Sequence, residues 1–219
     1  MCEIKLHVKL PIFVARQWIR HRTANVNEYS GRYSVIDNEF YIPAVEAIAS
    51  QSSTNRQGRE LGHTAAEAEL IRARIREDGD SAYRSYLTLL GEGPEADAKS
   101  KISGVARELA RIGLGVNFYT QWYWKTDLHN LMNFLRLRAD KHAQFEIREY
   151  ANVMLEILRL WVPVTHKAFL DYRLNSVQLS AAALDVIKRM LKGEKVTLEN
   201  SGLSRREWEE FKGQFDSVL

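Results

Sequence analysis

The sequence predicts an α+β fold in which helices outnumber strands. Three patterns lead to this prediction. Apolar and polar residues alternate over residues 3–10, and aromatic residues crowd into residues 117–125, as is typical of β-strands. Most of the remaining chain repeats its apolar residues at helical spacing. Because helices dominate and the strands are few, the class is α+β rather than a doubly wound parallel sheet.

The N-terminal part begins with the clearest strand. Residues 3–10 (EIKLHVKL) place isoleucine, leucine and valine on one face and lysine and histidine on the other, which predicts a half-buried strand. Pro11 suits the first position of a helix that continues to Arg20. Residues 23–37 hold Asn, Ser and Gly without a sustained period and predict an ordered loop, and residues 39–43 predict a short strand.

Helices are predicted for most of the remaining chain. Segments 65–75 and 82–90 are predicted as two helices interrupted at Asp78-Gly79-Asp80, and residues 95–112 as a further amphipathic helix. Residues 117–125 (NFYTQWYWK) predict a strand, after which Asp127 is a good N-cap for a helix. The last predicted helices span 141–161, 164–174, 177–192 and a segment from Ser204 to about Phe215.

Composition excludes several classes of protein. The 219 residues carry a formal net charge of only +3, so any anion site must be a local cluster. No apolar run is long enough to span a bilayer, and the N-terminus lacks the apolar stretch of a signal peptide. A single cysteine, Cys2, excludes an internal disulfide framework and makes the reducing cytoplasm the expected compartment.

Common catalytic and metal motifs are missing from the sequence. It contains no GxGxxG, GxxxxGK[ST], GxSxG or HExxH pattern. Its six histidines never fall at the spacing of metal ligands. Metal and serine-hydrolase chemistry are therefore not expected, and no metal site is predicted.

A cationic loop is the first segment that suggests chemistry. Arg20, His21, Arg22 and Arg32 lie within 13 positions, among hydroxyls, amides and the Ser30-Gly31 pair. Guanidinium groups beside a glycine-containing backbone turn suit a phosphate ester, because arginine binds two oxygens and glycine lets the main chain approach. The competing interpretation is a solvated basic loop.

The predicted helix after Asp127 carries the second cluster. At about 100° per residue, His129, Asn133 and Arg136 share one stripe, whereas Arg138 points about 140° away from Asn133. Such a helix can contact two different ligands. The competing interpretation is a core helix with surface arginines, since leucines and Phe134 occupy much of it.

These motifs resemble a known family. Arg20-His21-Arg22, followed after seven residues by Ser30, matches the RHR-x7-S signature of the flavin-dependent thymidylate synthases. Asn25 departs from the Ser that many members carry there. The resemblance covers the chain from Ile4 to about Leu174 and continues through NEYSGRYS, EFYIP at 39–43, ARELARI at 106–112 and LMNFLRLRADKHAQFEIREYA at 131–151.

The resemblance implies a fold, a reaction and a set of ligands. The fold would be a central antiparallel sheet flanked by helices, and the reaction the reductive methylation of dUMP to dTMP. FAD would be the cofactor, with NADPH and methylenetetrahydrofolate as co-substrates. Family members are homotetramers whose sites combine several subunits, which implies the same assembly here, with no nucleic-acid or membrane partner.

The resemblance also implies roles for individual residues. Arg138 would be the catalytic residue, contacting the uracil ring. The dUMP site would comprise Gln17, Arg20, Glu28, Tyr29, Ser30, Gly31, Arg32, Arg111 and Arg138. The FAD site would comprise Arg20, His21, Arg22, Glu28, Asp127, His129 and Asn133.

The implied role of Arg138 agrees with the chemistry. Uracil C5 attacks an electrophilic carbon only if negative charge on the ring is stabilised, which a fixed guanidinium achieves without a covalent nucleophile. Cys2 lies outside both clusters, so the cysteine-addition route of the unrelated thymidylate synthases is not expected.

One domain boundary and two alternative functions complete the sequence prediction. Residues 1–175 are expected to form the catalytic domain, N-terminally short relative to the family, and residues 176–219 a helical extension without an assigned function. One alternative is a truncated or degenerate member that binds flavin or nucleotide without turnover. The other is an RNA-binding module with Arg20, Arg22 and Arg32 as its basic stripe and Trp122, Tyr123 and Trp124 as stacking platforms.

Overall fold

A computed structural model describes residues 2–51, 59–92 and 103–215, with the side chains of residue 51 and residues 59–61 left out. The chain divides into two compact units, Met1–Pro163 and Val164–Leu219. This division falls twelve residues before the boundary expected at 175/176.

A three-stranded antiparallel sheet is the centre of the first unit. Its strands are β1 (Glu3–Pro11), β2 (Asn25–Glu28) and β5 (Tyr119–Asp127), in the order β1-β5-β2. β1 pairs with β5 along its whole length, from Glu3 opposite Asp127 to Pro11 opposite Tyr119. The predicted α+β class and antiparallel sheet are therefore confirmed.

β2 lies where the sequence predicts a loop. Asn25–Glu28 pairs with β5, with Asn25 opposite Lys125 and Glu28 opposite Trp122. All four β2 residues are exposed, so no alternation of apolar and polar side chains marks this strand in the sequence. The short strand predicted over residues 39–43 is reduced to one bridge between Phe40 and Phe118. A separate two-stranded sheet joins β3 (Ala49–Gln51) to β4 (Arg59–Gly62).

α2 (Ala65–Leu90) is one continuous helix, so the predicted interruption at residues 78–80 is wrong. Its start is fixed by a capping box between Thr64 and Glu67, and its end by Gly91 in the left-handed conformation, at φ 74°. Gly79 lies inside this helix, and the ring of Phe40 packs against it so closely that a β-carbon there would lie only 2.6 Å from the ring. The glycine that suggested a break is a packing requirement.

The helix predicted over residues 95–112 is much shorter in the described part of the chain. Residues 95–102 lie outside the described residues. Residues 103–106 are not helical, and Gly104 has φ of 88°. α3 spans only Arg107–Ala110, and a single 3-10 turn follows over Arg111–Gly113.

The helices that flank the sheet bury an aromatic core. α1 is Ile12–Trp18, α4 is Leu128–Arg138 and α5 is Phe145–Trp161. The ring of Trp18 makes edge contacts with Trp122 and Trp124, and lies 4.7 Å from Phe134. On β5, Trp122 and Trp124 are 2% and 1% exposed, whereas Tyr123 faces the other side and stacks on His7. The two tryptophans are thus core residues, which removes the stacking platform of the RNA-binding alternative.

The second unit is helical and has its own small core. α6 (Pro163–Phe169) begins at the boundary and continues as one π-helical turn over Leu170–Leu174. α7 (Ala181–Leu191), α8 (Leu198–Ser201) and α9 (Arg205–Phe215) follow. Their core contains Val186 and Phe211. Ser204 accepts a hydrogen bond from the backbone N–H of Glu207, so the predicted cap of the last helix is confirmed.

No helix in the described ranges is both long and apolar enough to cross a membrane.

Candidate active site

The RHR residues follow directly from α1. Trp18, the last residue of this helix, is fully buried and accepts a hydrogen bond from the backbone N–H of His21 at 2.9 Å. Arg20 and Arg22, on either side of His21, are exposed. The buried tryptophan therefore fixes where the motif leaves the core, with its two guanidinium groups in solvent.

His21 and Arg138 are in direct contact. Arg138 ends α4, and its Nε donates a hydrogen bond to Nε2 of His21 at 2.9 Å. The His21 ring also meets Phe134 edge-on, with the ring centroids 4.8 Å apart. A residue predicted for the FAD site and the predicted catalytic residue therefore form one pair.

The charge state of this pair follows from its surroundings. Partial burial, and then the positive charge of Arg138, lower the pKa of His21 to about 4. Burial also lowers the pKa of Arg138. The Nε2 of His21 is thus an unprotonated acceptor at neutral pH, and the positive charge of the pair resides on Arg138.

The loop after β2 forms a turn around Gly31. Tyr29 extends the pairing with β5, since its N–H donates to the carbonyl of Gln121 at 2.8 Å. The N–H of Tyr33 donates to the carbonyl of Ser30 at 3.1 Å, and the N–H of Arg32 lies 3.4 Å from the Ser30 hydroxyl. Gly31 is buried, and a β-carbon on it would lie 3.4 Å from Nη1 of Arg111. The structure therefore brings Arg111 to the predicted phosphate loop.

Four guanidinium groups of the predicted site are available to a ligand. Within residues 2–51, 59–92 and 103–215, they form no ion pair with a carboxylate and donate no side-chain hydrogen bond. The four belong to Arg20, Arg22, Arg32 and Arg111, and Arg32 also stacks on Tyr33 at 5.8 Å. Arginines without a carboxylate partner are suited to bind phosphate groups.

Two further predicted residues differ in whether their polar side chains have a protein partner. The carboxylate of Glu28 accepts a hydrogen bond from the hydroxyl of Thr120 at 2.7 Å. In α1, the Oε1 atom of Gln17 is buried and has no hydrogen-bond partner in the described part of the chain. A buried amide oxygen without a partner is a suitable acceptor for a ligand N–H.

The predicted FAD residues at the start of α4 and along it differ in whether their side chains are already used within the fold. Asp127 is the N-cap, as predicted, and its carboxylate accepts hydrogen bonds from the backbone and side chain of Asn130, which lower its pKa. His129 and Asn133 are exposed. Arg138, as predicted, lies away from them, since it turns inward to His21. Asp127 therefore has a structural role in the fold.

Sequence reasoning missed two residues of this region. Thr120 orients Glu28, and Phe134 supports the ring of His21. The alternation along β5, which places Thr120 on the same face as Trp122, was the available signal for the threonine. Among the described residues, no cluster of three or more His, Cys, Asp or Glu residues is arranged to hold a metal ion.

Comparison with known proteins identifies the family. The profile of the family Thy1, thymidylate synthase complementing protein, matches residues 1–164. The flavin-dependent thymidylate synthase of Gluconobacter oxydans is 58% identical over 218 residues, covering 100% of this chain and 69% of its own length. The flavin-dependent thymidylate synthase of Ruegeria pomeroyi is 57% identical over 211 residues, covering 96% of this chain and 68% of its own length.

A solved structure is also similar. The UMP/dUMP methylase PolB from Streptomyces cacaoi, bound with 5-Br UMP, is 30% identical with a TM-score of 0.70, covering 78% of this chain and 74% of that one. The fold of this chain is thus similar to that of a nucleotide methylase. The chain belongs to the thymidylate synthase complementing protein family, whose relatives above are flavin-dependent thymidylate synthases. The prediction from the RHR-x7-S signature is confirmed.

Proposed function

We propose that this protein catalyses the reductive methylation of dUMP to dTMP, with methylenetetrahydrofolate as carbon donor and NADPH as reductant. The observation that supports this proposal most directly is the arrangement of the Arg138 guanidinium. Its Nε is held by His21, while its terminal nitrogens donate to no protein atom in the described ranges. A fixed guanidinium with a free edge is the group that activation of the uracil ring requires.

The residues of the loop after β2 would bind the rest of dUMP. Arg32 and Arg111 would receive its phosphate, together with the turn at Ser30 and Gly31. Gln17 would accept a hydrogen bond from the nucleotide through its unpartnered Oε1. Arg20, Glu28 and Tyr29 complete the proposed dUMP site.

The chain also offers suitable residues for FAD. Arg20 and Arg22 are exposed cations without a protein partner in the described ranges, which fits the pyrophosphate of a dinucleotide. His129 and Asn133 lie one turn apart on the exposed side of α4 and add polar contacts, and His21, Glu28 and Asp127 complete the proposed set. When bound, FAD supplies the hydride for the reduction.

The protein's own part in the reaction is to bind, orient and stabilise charge. Arg138 would stabilise the negative charge that develops on the ring as C5 attacks the carbon donor. No covalent nucleophile is needed, and Cys2, the single cysteine, is exposed and lies just before β1. The arginines would hold the phosphate so that the ring stays within reach of Arg138.

A homotetramer in the cytoplasm, with residues 1–175 as the catalytic domain, completes this proposal. The family resemblance supports the assembly, and the single cysteine supports a reducing compartment.

The proposed function is tested directly by measuring whether the purified protein forms dTMP. The purified chain is loaded with FAD, its visible absorption is recorded, and it is then incubated with dUMP, methylenetetrahydrofolate and NADPH. We expect bound flavin and dTMP detected by chromatography, with no dTMP when any one substrate is left out. Bound flavin and dUMP without dTMP under saturating substrates would favour the non-catalytic alternative instead. Absence of flavin binding would reject the proposal.

A further inference from the structure

We infer that His21 is a positioning residue for Arg138: its Nε2 holds the guanidinium so that the Nη edge faces the uracil ring. The inference rests on the proposed function, since it specifies how one side of that site is held. It goes beyond a role in flavin binding, because the residue contacted by His21 is the arginine proposed to activate dUMP.

The geometry of the pair shows how His21 can orient the guanidinium of Arg138. The planar guanidinium has one N–H on Nε and four on the two terminal nitrogens. The Nε hydrogen is used by His21 at 2.9 Å, and the four others donate to nothing in the described part of the chain. Because the group is rigid and planar, fixing Nε also fixes the direction of the opposite edge.

The surroundings of His21 hold its ring and backbone in place. The ring is held on one side by its edge contact with Phe134, and its backbone by the bond to Trp18. Both of these residues are fully buried. His21 is therefore fixed to the aromatic core, whereas Arg138 is the last residue of α4 and needs an external partner to hold its long side chain.

The protonation state of His21 allows it to accept this hydrogen bond. Only an unprotonated Nε2 can accept from Arg138, and the other ring nitrogen, Nδ1, then carries the hydrogen. Partial burial and the charge of Arg138 keep the pKa of His21 near 4, so the acceptor is present at neutral pH. A protonated histidine would repel Arg138 instead.

The experiment is a double-mutant cycle read out as dUMP affinity. Calorimetry is performed on the full chain at saturating FAD, for the unaltered protein, His21→Phe, Arg138→Ala and the double variant. Phenylalanine keeps the ring against Phe134 but cannot accept a hydrogen bond. His21→Gln is the matched control, because its amide oxygen can accept at a similar reach. Flavin content and the melting temperature are recorded for each variant.

We expect His21→Phe to weaken dUMP binding about tenfold and His21→Gln by less than about threefold. In the Arg138→Ala background, His21→Phe should have no further effect. Equal losses in both backgrounds would overturn the inference, as would unchanged dUMP affinity in His21→Phe. If the unaltered protein does not bind dUMP, the proposed function itself is rejected, and the inference with it.

Discussion

Arg111 reaches the backbone of Gly31, although 80 positions separate them in the chain: a β-carbon on Gly31 would lie 3.4 Å from Nη1 of Arg111. The same β-carbon would lie 2.9 Å from Cδ1 of Ile36, which is closer than side-chain atoms normally approach. The loop proposed to bind phosphate is therefore closely packed around its glycine.

Gly31→Ala should impair dUMP binding without unfolding the protein. The added methyl group must push Ile36 aside, which shifts the turn that carries Ser30 and Arg32. We expect the KM for dUMP to rise about tenfold, which corresponds to about 1.4 kcal/mol. Gly213→Ala is the control, since nothing lies within 4 Å of a β-carbon there. An unchanged KM in Gly31→Ala would contradict the proposed phosphate site.

The phosphate should provide much of the affinity for dUMP. Deoxyuridine lacks it, so we expect deoxyuridine to bind less tightly by roughly 2 to 5 kcal/mol, as for truncation of a buried charge pair. Arg111→Ala should reduce this difference, because one of the proposed partners of the phosphate is removed. Calorimetry on the flavin-loaded protein measures both quantities. Equal affinities of the unaltered protein for deoxyuridine and dUMP would rule out the assignment.

Arg138→Ala should abolish dTMP formation while flavin remains bound, because Arg138 lies away from His129 and Asn133 on α4. Removing a charge-assisted contact from a desolvated site costs about 3 kcal/mol or more of transition-state stabilisation. Product formation and visible absorption are measured together. Arg159→Ala, which removes an exposed arginine paired with Glu156, is the control and should retain activity. Substantial dTMP formation by Arg138→Ala would exclude the catalytic role.

Gly79→Ala should destabilise the first unit. Its β-carbon would meet three ring atoms of Phe40 at 2.6 to 2.8 Å in the middle of α2. Overpacking of this kind costs about 1 to 3 kcal/mol, whereas the exposed helix position in Gly213→Ala should gain about 0.5 to 1 kcal/mol. Denaturant unfolding followed by circular dichroism distinguishes the two variants. A Gly79→Ala protein as stable as the unaltered one would mean that Phe40 has room to move.

The stability of the protein should fall between about pH 6.5 and pH 4 in part through His21. The pKa of this residue is lowered from 6.5 to about 4 in the folded protein, so in this range the unfolded chain binds a proton that the folded chain does not. His21→Gln removes this difference, and its melting temperature should fall less on acidification. Melting curves at pH 7 and pH 5 test this. Parallel decreases in both proteins would contradict the shifted pKa.

The sequence predicts this fold where one element has one strong local signal. The alternation over residues 3–10 predicts β1, and Asp127 predicts the start of α4. β2 carries no such signal, because it is exposed on both faces and is a strand only through its pairing with β5. Gly79 between two aspartates resembles a helix break, and only the position of Phe40 explains why the helix continues.

The candidate site was likewise predictable from the sequence only where a local pattern marks its residues. The RHR-x7-S motif and Arg138 of α4 belong to local patterns, so the sequence alone is enough to predict them as candidate site residues. The pairing of His21 with Arg138 spans 117 positions and depends on how α4 leaves β5. No local pattern encodes a contact of that separation. The role of Phe134 in supporting His21 is likewise visible only after the helix is placed against α1.

The position of β5 in the middle of the sheet has a consequence for how the protein folds. β1 and β2 pair with β5 and not with each other, and β5 follows them by about a hundred residues. Sheets built from such distant partners close slowly, because the entropy of a long loop is lost before any pairing is gained. During synthesis, β1 and the RHR motif leave the ribosome well before β5 and α4. The contact between His21 and Arg138 therefore forms late, and the site matures only after most of the first unit has been made.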